Sequence, residues 1–135
     1  MYLFKTSGKT FDSVVQNAKH AFKGLPRDWS PGELVLVSKN KADCQWNERQ
    51  IQYLMTLVDV RSLRPGEAQV YWPGFEGRWQ YLAECTDVRR VSPPFDMVEI
   101  LGEGAREYRQ VMTFKKLKPQ HESLVLQWLK RSAAA

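Results

Sequence analysis

The sequence has little of what catalysis, metal binding or membrane insertion requires. It holds two cysteines and two histidines in 135 residues. Cys44 and Cys85 lack zinc-site spacing, and His20 and His121 fall at helix ends where solvent-facing roles are ordinary. There is no glycine-rich phosphate loop and no His-Glu-x-x-His helix. Apolar runs such as Leu34-Val35-Leu36-Val37 reach five residues or fewer, against the ~20 needed to span a bilayer. The opening Met1-Tyr2-Leu3-Phe4-Lys5 carries no secretion signal, and two thiols in such a chain fit a reducing cytoplasm. The expectation is a cytoplasmic protein with no catalytic group of its own, no metal and no cofactor.

What is present points toward a polyanion. The formal net charge is +5 and the pI is about 9.3, and a basic balance favours an acidic partner. Five tryptophans supply the large flat side chains that stacking sites for bases use, as ordinary cores also do.

The periodicities predict the order β-α-β-β-β-β-α-β-α. Tyr2, Leu3 and Phe4 form a short strand that ends at Ser7-Gly8. Phe11, Val14, Val15, Ala18 and Phe22 lie on one face of a helix, with Thr10 as its N-cap and Gly24 and Pro26 as its stop. Leu34–Val37 is a buried strand. Gln50–Val60, Ala68–Trp72 and Arg78–Val91 are further strands, the last bulged near Glu84–Thr86. Pro93-Pro94 breaks the sheet. Phe95, Val98 and Leu101 fit a short helix ended by Gly102, Tyr108–Leu117 returns to strand, and Pro119 opens a last helix bearing Leu124, Val125, Trp128 and Leu129. This is an α+β chain: a small curved β-barrel of five to six strands with two to three packed helices. Residues 1–131 read as one domain and 132–135 as a cloning remnant.

Three segments carry a resemblance. Ser30-Pro31-Gly32-Glu33-Leu34-Val35-Leu36-Val37-Ser38 is similar to the proline-glycine-acid turn and valine-leucine strand of the EVE domain. Gly77–Val91 resembles the wide strand of the same family. Tyr108–Pro119 resembles its closing strand and entry to the last helix. EVE domains belong to the PUA-like superfamily, as do the YTH readers of methylated adenine. The resemblance implies a barrel with a pocket at one end, into which a modified base (5-methylcytosine, 5-hydroxymethylcytosine or N6-methyladenine) is rotated out of double-stranded DNA. It also implies a place in a modification-dependent restriction system, beside a nuclease or motor subunit or fused domain. RNA is the alternative partner. A less favoured reading is a small-ligand sensor or hydrolase using Cys44.

Candidate pocket residues follow. Trp72, at a predicted strand end before Pro73-Gly74 and the Gly77-Arg78-Trp79 step, resembles a cage tryptophan of YTH readers, and Trp29 resembles a second cage wall. Ser7, at the end of the first strand, corresponds to a base-reading position. Trp46 is an aromatic in a polar loop, and Ser38 and Asn40 end the second strand, where they could read a base edge. Asp59 is a polar residue inside an apolar strand. Lys5, Lys39, Lys41 and Arg78 are the candidate contacts to the nucleic-acid backbone. Trp79 and Trp128 read as core.

Overall fold

Alternation along two central strands decides which side chains face which core. In β3 (Leu34–Lys39), Val35 and Val37 enter one hydrophobic cluster, while Leu34 and Leu36 pack into another on the opposite side of the sheet. In β1 (Tyr2–Thr6), Tyr2 and Phe4 face the first cluster and Leu3 the second, as a period of two requires. These elements belong to a computed structural model that describes residues 1–42, 44–45 and 49–134.

The remaining elements are α1 (Phe11–Asn17), β2 (Lys19–Phe22), β4 (Ile51–Ser62), α2 (Glu67–Tyr71), β5 (Tyr81–Phe95), α3 (Met97–Leu101), a 3-10 turn over Gly102–Ala105, α4 (Arg106–Arg109), β6 (Phe114–Lys116) and α5 (Pro119–Ala134). The strands form one six-stranded sheet in the order β2-β5-β4-β3-β1-β6. Among the described residues only β1 and β3 pair in parallel. The sheet curls into a half-barrel, so that its two edge strands meet through side chains. Phe22 of β2 packs edge-on against Phe114 of β6 at 5.0 Å, and His20 of β2 stacks on Phe4 at 5.0 Å. α3, α4 and α5 cover the outer face, where Phe95, Tyr108 and Val125 are fully buried.

The α+β curved sheet matches the expected class. Four local expectations are corrected. The predicted first helix stops at Asn17: Ala18 takes a left-handed conformation (φ 53°), and Lys19–Phe22 pairs with Tyr81–Glu84 instead. Phe22 satisfies both periods, and tertiary pairing selects the strand. Ala68–Trp72 is helical rather than extended, with Trp72 as the C-cap of α2. Pro93-Pro94 does not end β5. The register jumps from Tyr53↔Arg90 to Ile51↔Phe95, so both prolines sit in an unpaired stretch where no ladder donor is needed. The predicted strand Tyr108–Leu117 begins as α4 and becomes extended only at Phe114. The bulge expected in β5 is present as register shifts near Glu84–Thr86.

An ion-pair node holds α2 in place. Arg61 of β4 donates from Nε to Glu84 of β5 at 2.8 Å and from Nη1 to Glu67 of α2 at 2.8 Å. The Arg61 guanidinium beside it holds the Glu67 carboxyl down to about 2, and the Glu67 carboxylate in turn raises Arg61. Glu67 is 12% exposed and Arg61 18%, between the surface and buried limits for such pairs. Arg61→Ala is therefore expected to lower the unfolding free energy by about 2 kcal/mol, read as a shifted urea midpoint. A change below a few tenths of a kcal/mol would mean that the node does not anchor α2.

Candidate functional site

A cavity of about 200 Å³ opens where the β1–α1 turn, β2, the loop after β3, the α2–β5 loop and the segment before β6 come together. Its aromatic wall comes from the α2–β5 loop. Gly74 (φ 88°) and Gly77 (φ 80°) take left-handed backbone that other residues rarely adopt, and so fold residues 72–79 back on themselves. Phe75 and Trp79 then stack at 5.9 Å and 15°, and Trp72 meets Trp79 edge-on at 5.3 Å. The Arg78 guanidinium lies 4.7 Å over the Phe75 ring. Trp72 is 2% exposed and anchored between Ala21 and Leu82, while Phe75 and Trp79 are half-buried.

The polar side comes from the β1–α1 turn and β2. Thr10 Oγ1 lies 3.0 Å from Ser7 Oγ and also bonds the Thr6 hydroxyl. His20 Nε2 is 3.1 Å from the Thr113 carbonyl. A carbonyl only accepts, so Nε2 carries the proton. Burial pushes His20 down to about 4, which leaves a neutral ring at pH 7. No aspartate or glutamate is among the described residues lining the cavity, which include Lys5 and Arg78. A neutral-to-basic slot with an aromatic wall and hydroxyl groups suits one uncharged planar heterocycle whose attached phosphates stay outside. Drug-sized ligands occupy larger sites of about 300–1,000 Å³.

Five of the sequence candidates line this cavity: Trp72, Ser7, Asn40, Lys5 and Arg78. Two of them have other work. Asn40 donates to the Met112 carbonyl at 2.9 Å and accepts from Ala42 N–H at 2.8 Å, so it ties the loop after β3 to the segment before β6. Lys5 is 8% exposed, and its ammonium donates to the Tyr108 and Arg109 carbonyls at 2.8 and 3.3 Å. Burial, reinforced by nearby Arg49, lowers it to about 8.

The other described candidates lie elsewhere. Ser38 shares the outer face with Leu34 and Leu36 and lines a different cavity. Asp59 follows a register shift in β4 and accepts from the Val60 N–H. Trp29 packs against the inner core cluster, Lys39 lies over the Phe11 ring at 5.2 Å, and Lys41 is exposed. Trp46 is outside the described residues.

Sequence reasoning missed Phe75, Trp79, His20 and Thr10. The glycines flanking Phe75 were a usable signal for Phe75 and Trp79. His20 was hidden because the helical period placed it on a polar helix end. The two thiols are also accounted for. Cys44 Sγ donates to the Asn40 carbonyl at 2.6 Å, and burial pushes Cys85 up to about 12. Among the described residues no helix is long and apolar enough to cross a membrane.

The six-stranded half-barrel with its pocket at one end is a PUA-like fold. Among solved structures it is similar to ASCH from Zymomonas mobilis, with 10% identity, 93% of each chain covered and a TM-score of 0.63. It is also similar to the DUF55 domain of human thymocyte nuclear protein 1, at 13% identity over 94% of this chain and 96% of that one, with a TM-score of 0.57. No family model and no curated protein matches the sequence. At these identities the likeness establishes the fold alone.

Proposed function

We propose that this domain reads a modified nucleobase in DNA by taking one extruded base into the 200 Å³ cavity. The observation that carries the reading is the wall of Trp72, Phe75 and Trp79 in one slot with the Ser7 and Thr10 hydroxyls. Extracting a base from a duplex costs a few kcal/mol. An aromatic contact returns about 1–3 kcal/mol, and a buried methyl group adds about 0.8 kcal/mol. The hydroxyls and His20 supply directional contacts to the base edge, and the net charge of +5 supplies salt-sensitive attraction to phosphates. The domain acts by binding, and any strand cleavage belongs to a nuclease or motor partner or fused domain, as in EVE-type restriction proteins.

The test is a binding panel of short duplexes that differ in one base modification, measured at two salt concentrations. One modified base is expected to bind best. Raising the salt should weaken all duplexes while preserving the order of preference. Equal affinity for every duplex would defeat the proposal. Matched RNA and DNA strands extend the panel, and a requirement for the 2′-hydroxyl would assign the site to RNA instead.

A further inference from the structure

A second, smaller cavity lies at the carboxyl ends of β1 and β3, under α3 and α4. It measures about 40 Å³ and is lined by Lys5, Ser38, Arg49, Asp96, Tyr108 and Arg109 among others. Its volume holds about three or four waters at about 10–15 Å³ each, or the oxygens of one small ion. Strand alternation explains the lining: Lys5 follows Leu3, and Ser38 follows Leu36, on the outer face of the sheet.

Ser38 is fully buried, at 0% exposure, and its hydroxyl has no hydrogen-bond partner. Buried hydroxyls without a partner are uncommon and mark a site that takes one. The Lys5 ammonium spends two bonds on the Tyr108 and Arg109 carbonyls, and an ammonium has a third to give. Among the described lining residues, three are basic (Lys5, Arg49 and Arg109) and one, Asp96, is a carboxylate. The Asp96 side chain is also turned to the start of α3, where it accepts from Val98 N–H at 3.0 Å. A donor-rich pocket with that sign of charge selects an acceptor-rich anion over a cation or an apolar group.

We propose that this second cavity is an oxyanion site that takes a single phosphate group, with the Ser38 hydroxyl and the Lys5 ammonium as donors. It is distinct from the base slot, although Lys5 lines both cavities, and it stands whether or not a base is read next door.

The test is calorimetric titration of the full chain with inorganic phosphate in chloride-matched buffer. Saturable one-site binding is expected. Ser38→Ala should weaken it about tenfold or more, as loss of a bond to a charged group does. The same variant should keep the thermal midpoint of the parent, because it removes an unsatisfied hydroxyl. Asp96→Asn retains a capping side chain and should bind phosphate several-fold more tightly. No saturable binding, or Ser38→Ala binding as well as the parent, would overturn the site. Oligonucleotides with a 5′-phosphate or a 5′-hydroxyl distinguish the source. A preference for the phosphorylated end assigns the site to a nucleic-acid terminus, and equal affinity assigns it to free phosphate. Trp79→Ala should leave phosphate binding intact, which separates failure here from failure of the base reading.

Discussion

Trp72→Ala is expected to lower the unfolding free energy by about 3–5 kcal/mol, the usual cost of truncating a buried tryptophan. The residue is 2% exposed and packs on Ala21 and Leu82, so its removal leaves a void between α2 and the sheet. A fall of roughly 10–20 °C in the thermal midpoint should follow for a domain of this size. Trp79→Ala behaves differently. Trp79 is half-buried in the same wall, so its loss should cost less than about 2 kcal/mol of stability. It should nevertheless reduce affinity for the preferred modified base roughly 5- to 150-fold, the equivalent of about 1–3 kcal/mol of stacking. The pair of variants separates scaffold from site, through melting curves on one side and the duplex panel on the other. Full base discrimination in Trp79→Ala would remove the aromatic wall from the mechanism.

Stability should also fall steeply as the solution is acidified from pH 6.5 toward pH 4.5, before most carboxylates titrate. The cause is His20, whose folded-state value is pushed down by burial from 6.5 to about 4. Between those values the unfolded chain binds the proton and the folded protein does not. Stability from this group is therefore complete above pH 6.5 and is lost as pH falls toward 4. At roughly 1.4 kcal/mol for each pH unit the full loss is about 3 kcal/mol. Glu33 and Glu67, held below the usual carboxylate value of 4.5 by the N-terminal ammonium and Arg61, give up their share only at lower pH. Urea unfolding at pH 7, 6, 5 and 4.5 reads the slope, and His20→Gln should flatten it. An equal slope in the variant would place the titrating group elsewhere. Base binding by the folded protein should hold over the same interval, because folded His20 stays neutral until the pH nears 4.

Much of the sheet was legible in one dimension. Leu34–Val37 and Ile51–Val60 are strands because their β-formers alternate or run unbroken, and Gly102 ends α3 as its position suggested. The EVE-like segments pointed to a PUA-like barrel, and the chain folds as one. Where two periods fitted the same residues, sequence had no means to choose. Phe11, Val14 and Phe22 satisfy a helical stripe, but Lys19–Phe22 pairs with Tyr81–Glu84, and that pairing brings His20 onto Phe4. Ser38 and Asn40 looked equivalent as strand-end polar residues. They lie two positions apart but line different cavities, because the chain has left the β3 ladder at Asn40.

From the amino acids alone came the class of fold, the basic balance and the supply of indoles, since these depend on composition and on local periodicity. Which indoles share a slot was decided only by the tertiary structure. The curl of the sheet and the glycine turns at 74 and 77 bring Trp72, Phe75 and Trp79 to the residues of a turn more than sixty positions earlier. Convergence of that kind depends on long-range pairing, which no local pattern encodes.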